Sequence, residues 1–422
     1  MTNTKKRVVI IGGGFGGIRT FYNLAGNKKF EITLIDARST HSVKPVMPEV
    51  AYEDKVIEKT RFELRPVIEK KGHTFINEAV TKVDAKNNTL TIASGDEISY
   101  DYLVVATGAF KDFEAIKGLE EHGYSVCDET HAVKLAKKVK NFKGGKIVIG
   151  SAKSTWGTRV DAPKWGAPCE GPIGESMFMI DHLLRKKGLR DKSDIQVFTP
   201  GEPFFEDIDH TVRNAVGGLM GMKNIGLHLN KVPVEVTASS VKFEDGTELE
   251  SDLTIMIPVY KGPQFLIDSK LGDEKGFIPT DKGMRHLDYP NIFAAGDVNA
   301  NTMPKLGHLA AMQGDIVAAQ IRKDAGEDVK VPEYKPEILC IMNMGGKEAG
   351  VLLTDIQLGG KYDVVWHGKW QGWFKRIFDE KLIIDNGKLF PEWMIHMFKK
   401  VLIMMGAGNK GNMPKETANS AK

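Results

Sequence analysis

The stretch Val8–Leu24, VVIIGGGFGGIRTFYNL, decides the fold. Residues from Arg7 to Ile11 form a short β-branched run that stops at Gly12, Gly14 and Gly17, and FEITLIDA from Phe30 is a second apolar strand ending in Asp36. The spacing predicts strand, tight turn, helix and strand. Gly12 permits the turn, Gly14 lets backbone approach a pyrophosphate, and Gly17 lets the helix pack on the sheet. The helix start offers free N–H groups to negative charge. Asp36, 19 residues after Gly17, is placed to accept hydrogen bonds from a ribose. An ordinary glycine-rich turn explains the glycines alone, but not the strand, helix, strand and terminal acid together.

Two later segments specify the dinucleotide. YDYLVVATGA runs from Tyr100 into Thr107 and Gly108, and YPNIFAAGDVN runs from Tyr289 into Gly296 and Asp297. In a doubly wound sheet, ligands lie beyond the carboxyl ends of the strands, where these small residues and this acid fall. Together with the first turn they resemble the FAD-binding pattern of the two-dinucleotide-domain flavoprotein disulfide reductases. That resemblance covers residues from about 7 to 315 and implies FAD, with Asp297 holding its ribityl chain. The family also has a second nucleotide unit, and GGKIVIG supplies its strand on cue. The following segment, GSAKSTWGTRVDAPKWGAPCEGP, breaks the glycine pattern with Ser151 and Ser154 and defers its helix until after Cys169, to about Pro172–Lys187. The second lobe therefore reads as degenerate, with no cradle for NADH.

The expected fold class is α/β. It has a discontinuous FAD domain (1–110 and 285–332), a second Rossmann-like domain (111–284), a C-terminal domain of short strands and amphipathic helices (333–406) and a disordered tail (407–422). VKFEDGTELE predicts a hairpin turning at Asp245-Gly246. Ordinary hydrophobic and charged content and a net charge of +3 give no basic field of the kind nucleic acid needs. MTNTKK runs straight into a strand without a leader, and no apolar run reaches the roughly 18 residues of a spanning helix.

The three cysteines, Cys127, Cys169 and Cys340, are 42 and 171 residues apart, which suits neither a zinc site nor a dense disulfide framework, so no metal is expected. Buried structural cysteines are one reading. Cys169, however, precedes a helix whose N-terminal positive charge is expected to lower its pKa, and Cys340 falls on or just after an apolar strand.

In its order of motifs the chain resembles the sulfide:quinone oxidoreductases. The residues that carry this are Cys127 with His131 four positions on, Pro168-Cys169-Glu170-Gly171-Pro172, the strand and loop from Met256 to Leu266, Cys340, and the PKxGHxA segment with Pro304, Lys305, Gly307, His308 and Ala310. The resemblance implies that Cys169 and Cys340 form a redox pair bridged by a disulfide or by extra sulfur, with Cys340 nearer the flavin. It implies that sulfide is oxidised to sulfur or polysulfide and a membrane quinone reduced, and that Gly307 opens a helix facing the flavin. His131 and Glu170 are the candidates for proton transfer. His210 falls later than the family pattern has it.

The basic surplus sits at the end: from Trp366 onward there are ten Lys and Arg against five Asp and Glu. At helical spacing Phe390, Trp393, Met394, Met397, Phe398, Val401, Met404 and Met405 share a face opposite Glu392, His396, Lys399 and Lys400. Upstream, Trp366, Trp370, Trp373, Phe374 and Ile377 recur opposite Lys369, Lys375 and Arg376. Core packing is one reading. Interfacial aromatics beside cations favour a bilayer surface, on the cytoplasmic face of the cell membrane. Type II NADH:quinone oxidoreductase and a sulfide dehydrogenase with a cytochrome acceptor are the rival activities, and a redox-dead flavin scaffold the non-enzymatic one. A homo-oligomer is compatible with the sequence.

Overall fold

A computed structural model describes residues 5–390 and 392–408. The expected tail lies outside the described residues from 409 onward, as do Met1–Thr4. The longer helices, in chain order, are α1 (Phe15–Leu24), α2 (Glu129–Asn141), α3 (Gly171–Lys186), α4 (His210–Met222), α5 (Gly307–Asp324), α6 (Lys369–Ile384) and α7 (Glu392–Gly408).

The first lobe is a parallel sheet in the order Ile292–Ala294, Tyr102–Val105, Lys6–Ile11, Phe30–Ile35, Thr74–Ile76. Strand order reverses between Lys6–Ile11 and Tyr102–Val105. At such a switch point a crevice opens beyond the carboxyl ends, and both the glycine turn and Thr107 lie there. Val8 to Ile11 are buried because helices or loops cover both faces of a parallel sheet, which is why the run is continuously apolar rather than alternating. The chain leaves this lobe after Tyr102–Val105 and returns for Ile292–Ala294, so the first lobe is discontinuous.

The second lobe is also parallel, in the order Gly123–Tyr124, Leu253–Ile257, Gly145–Ser151, Ser193–Phe198, Ile225–His228. Ser240–Phe243 pairs with Glu248–Glu250 around a turn in which Gly246 has φ +80°, as the Asp-Gly signal predicts. After Gly145–Ser151 no helix begins until Gly171. The helix expected from about Pro172 thus starts one residue earlier.

The C-terminal part is an antiparallel sheet of Ile338–Gly345, Glu348–Thr354 and Asp363–Gly368. Helices α6 and α7 lie against it. Trp366, grouped with the helical aromatics on spacing, stands instead in the strand Asp363–Gly368. Among the described residues no helix is long and apolar enough to cross a membrane.

Candidate functional site

The first turn is built from steric exclusion. Gly12 has φ +99°, and a Cβ there would stand 2.4 Å from the Ala106 carbonyl oxygen; a Cβ on Gly17 would stand 1.9 Å from the Gly12 oxygen. Gly14 caps α1 with no side chain, and a Cβ there meets nothing nearer than the Ala106 oxygen at 3.9 Å, so its outer side is open. Asp36 stands at the end of its strand, accepting from the Gly13 N–H at 2.7 Å and the Arg38 N–H at 2.8 Å. Gly108 has φ +73° beside open space, next to Thr107. Gly296, φ +84°, donates to Gln313 Oε1 at 2.8 Å, and the Asp297 side chain has no hydrogen-bond partner among the described residues. Gly307 opens α5, whose N-terminus likewise carries no side-chain cap. Two uncapped helix starts, a bare glycine turn and an unpartnered acid fit a dinucleotide with its pyrophosphate at α1.

Lys305 ties this crevice to the cysteines. Its Nζ donates to the Asp297 carbonyl at 2.7 Å and the Asn299 carbonyl at 3.3 Å, over the Phe277 ring at 4.5 Å, while its backbone N–H donates to the Pro168 carbonyl at 2.8 Å. Burial, opposed by Asp297, lowers its pKa to about 8. Lys111, not singled out by the sequence, is brought to about 7 by burial and then by Lys44; it stands over the Tyr260 ring and donates to the Cys127 carbonyl.

Residues 152–170, where the second glycine loop would lie, form a pinned loop. The Ser154 N–H donates to the Gly166 carbonyl (2.8 Å), Trp156 Nε1 to the Trp165 carbonyl (2.7 Å), the Thr158 N–H to Asp273 (2.7 Å) and the Gly166 N–H to Glu206 (2.6 Å). It delivers Cys169 to the start of α3. That helix packs on the strand Ile338–Gly345, with Gly174 so close that a Cβ would meet the Met342 sulfur at 2.5 Å. Cys340 lies in this strand opposite Leu352; Cys169 and Cys340 are free cysteines, each with part of the residue exposed.

The expected activation of Cys169 by the helix start does not occur. Burial first, then the charges of Asp207 and Cys340, push its thiol well above the ordinary value, against only a backbone hydrogen bond from Gly171. Burial and Glu175 push Cys340 up to about 12, with Lys375 opposing. The helix contributes partial charge, but desolvation in this pocket outweighs it. Cys127 is buried, donates its N–H to Ser125 Oγ at 3.2 Å and lies within hydrogen-bonding reach of Tyr260. His131, four positions on, is engaged elsewhere: its ring stacks on Phe113 at 3.8 Å and its Nε2 meets Glu120 Oε2 at 3.0 Å.

Three carboxyls lie near the thiols: Glu170, next to Cys169 in the chain, and Asp207, which acts on both thiols, are buried, while Glu175, which acts on Cys340, is partly exposed. Glu170 accepts from Thr199 Oγ1 at 2.6 Å and the Glu206 N–H at 3.1 Å; burial and Asp207 raise it to about 8. Burial raises Asp207 to about 7, and one of its oxygens has no partner among the described residues. Glu175 accepts from the Asn343 N–H at 2.9 Å and reaches about 7 through burial, with Lys375 opposing. Only Glu170 was singled out by sequence. A lone acid inside the apolar run from Ile173 to Ile180 was the signal for Glu175; Asp207 had none. His210 is exposed at the start of α4, with Nδ1 3.2 Å from Asp209 Oδ2.

The C-terminal helices correct the expected polarity. Lys375 does not face solvent: it is 2% exposed, and its Nζ donates to Asp379 at 2.6 Å and the Pro45 carbonyl at 3.1 Å. Gln371, Lys375, Asp379 and Leu382 form the inward face of α6, while Trp370 (73% exposed) and Trp373 (58%) point out. In α7, Lys399 is tied to Glu337, which also meets His308 Nε2 at 3.1 Å. Phe398 stacks on Phe374 at 4.6 Å and Leu402 is buried, leaving Trp393, Met397, Val401 and Met404 exposed.

Residues 6–314 match the family described as pyridine nucleotide-disulphide oxidoreductase. The chain is 29% identical to a sulfide-quinone reductase of Aquifex aeolicus (strain VF5), over 94% of this chain and 96% of that one. The X-ray structure of the sulfide:quinone oxidoreductase from that bacterium superposes with a TM-score of 0.84 at 28% identity, covering 94% and 95% of the two chains. A type II NADH:quinone oxidoreductase of Staphylococcus aureus (strain MSSA476) is 23% identical over 92% and 97%.

Proposed function

The chain belongs to the pyridine nucleotide-disulphide oxidoreductase family, an FAD-dependent oxidoreductase fold, and from that premise we propose that it oxidises sulfide and reduces a membrane quinone. The carrying observation is the loop 152–170, which stands where a second dinucleotide cradle is needed and instead delivers Cys169 to the start of α3, the helix packed on the strand that bears Cys340. The greater similarity to sulfide-quinone reductase than to the NADH enzyme supports the same reading.

Gly12, Gly14, Gly17 and Asp36 would hold the adenosine and pyrophosphate part of FAD. Thr107, Gly108, Gly296, Asp297, Lys305 and Gly307 would line its other half. The bound flavin supplies a two-electron acceptor between sulfur and quinone. The protein's own part is sulfur and proton chemistry. With Cys169 and Cys340 oxidised to a bridge, HS⁻ would attack one of its sulfurs; the S–S bond would break, Cys169 keeping the new sulfur as a persulfide and Cys340 leaving as the thiolate. Closing the bridge through the added sulfur would release two electrons, which a bound flavin would accept, and the persulfide proton, which a neighbouring carboxylate would take; repetition would lengthen the sulfur chain.

A leaving thiol whose pKa is raised needs a proton close by. Glu170, Asp207 and Glu175, raised to about 7 or 8, are neutral often enough near pH 7 to give one and take it back. His131 is left to position α2 and the loop bearing Cys127, and Cys127 stands outside the exchanging pair.

The outward aromatic faces of α6 and α7 would rest on the bilayer surface, on its cytoplasmic side, where a lipid-soluble quinone is reached. Anaerobic mixing of the flavin-loaded protein with sulfide in one cuvette and NADH in another tests the activity. Sulfide should bleach the flavin and added quinone restore it; bleaching by NADH alone refutes the reading.

A further inference from the structure

A cavity of about 1060 Å³ opens beside α6, between α1, the short helix Leu64–Glu69 and the turn that follows α6. Its charge is unbalanced. Arg19 is spent on Asp315, with Nε 2.5 Å from Oδ1, and Lys381 on Asp385 at 2.5 Å. Lys70, Lys71 and Lys388 also line the cavity, are exposed, and form no ion pair among the described residues; Glu63 is the acid left to oppose them. The remaining wall is apolar, with Val67, Leu389 and Phe390.

The setting indicates the occupant. Lys381 and Asp385 border both this cavity and a groove lined by Trp373, Ile377 and Ile384, so the basic cavity runs directly into the outward aromatic face of α6. Of the sixteen large hydrophobic side chains exposed among the described residues, ten lie between Trp370 and Met405. Of the two α7 cations expected at the bilayer, Lys399 is bound to Glu337, which leaves Lys400 as the exposed one on that helix. A ligand that suits both surfaces must join an anionic head to a long apolar body. A soluble phosphate would leave the apolar wall and groove unmatched.

We infer that this cavity is a headgroup site for an anionic phospholipid, its phosphodiester held among Lys70, Lys71 and Lys388 and its acyl chains lying along Leu389, Phe390 and the exposed face of α6. The inference rests on the membrane-docking reading above. It adds that docking is selective and that the selectivity is local. Lysine donates to a phosphate as a flexible point charge, so removing the charge matters more than the shape of the replacement.

The test is flotation of the flavin-loaded full chain with vesicles of phosphatidylcholine alone and of an equimolar phosphatidylcholine and phosphatidylglycerol mixture. Wild type should bind both and prefer the anionic vesicles. The triple variant Lys70→Gln, Lys71→Gln, Lys388→Gln should keep its binding to phosphatidylcholine and lose the preference, by about fivefold per lysine, the equivalent of roughly 1 kcal/mol each. A control with Lys137→Gln, Lys186→Gln and Lys192→Gln, which removes the same charge from the second lobe, should retain it. Glycerol phosphate, the soluble headgroup analogue, should not compete. Retained preference in the cavity variant, equal loss in the control, or competition by the soluble phosphate overturns the headgroup site while docking stands. Wild type that binds neither vesicle overturns the docking reading itself.

Discussion

Replacing Lys375 by methionine removes the buried cation that pairs with Asp379, and leaves Lys55, paired with Glu49, at the edge of the same group of acids. The Lys375 Nζ holds Asp379 Oδ2 at 2.6 Å, and it opposes the raised pKa of Glu175, which is already about 7. Asp379 Oδ1 and Glu49 Oε1 are buried without partners among the described residues, and Lys55, 2.9 Å from Glu49 Oε2, is engaged with Glu49 rather than with Asp379. Breaking such a pair from one side costs about 3–5 kcal/mol, mostly as the penalty of the charge left behind. Without Lys375 the folded-state pKa values of Glu175 and Asp379 rise further, each unit being worth roughly 1.4 kcal/mol. An acid whose pKa is raised on folding contributes stability that is complete below its unfolded value and is lost as pH climbs through its folded value. The deficit of Lys375→Met should therefore be full at about pH 8.5 and smaller by roughly 1–2 kcal/mol at about pH 5.5, where the acids take up protons instead. Urea unfolding followed by tryptophan fluorescence at the two pH values measures it. The double variant Lys375→Met, Asp379→Leu should recover much of the loss, because two apolar groups replace the whole pair. A deficit that is equal at both pH values, or a double variant less stable than the single one, refutes this account of the inward face of α6.

Other outcomes are expected at the site and at the surface. Cys169→Ser and Cys340→Ser should each abolish sulfide-dependent quinone reduction with FAD still bound, and Cys127→Ser should do less harm; steady-state assays with flavin absorbance decide it, and equal loss in all three contradicts the pairing. Gly14→Val should purify folded but without flavin, because its side chain points into the open side of the turn rather than into protein. Asp297→Ala should weaken FAD retention by about 1.5–3 kcal/mol, read by flavin release on dilution. Trp373→Asp with Ile377→Asp should release the protein from vesicles and leave flavin bleaching by sulfide unchanged, and retained vesicle binding would return that face of α6 to packing.

The amino-acid sequence by itself determined what rests on local geometry. The turn at Gly12 and Gly17 is dictated by contacts between residues a few positions apart, since a Cβ at either would collide with a backbone carbonyl. The parallel strands show as continuous apolar runs, and the late start of α3, at Gly171, shows as a stretch after Ser151 without a helical pattern. Periodicity likewise marked the amphipathic stripes of α6 and α7. It could not say which side of each stripe meets the protein: Asp379 is the i,i+4 neighbour of Lys375 on α6, but Glu175 and the Pro45 carbonyl, which draw that pair inward, come from elsewhere in the fold. Only the tertiary structure decided the thiol chemistry. A helix start next to Cys169 is a sequence feature, but the burial and the Asp207 carboxylate that outweigh it come from segments 38 residues away and beyond. The same holds for His131, whose partners Phe113 and Glu120 lie outside its own helix, and for Glu175, whose proton affinity depends on what desolvates it. Residue types and spacings fix which groups are near in the chain, whereas desolvation and charge pairing depend on what packs around a group from elsewhere in the fold.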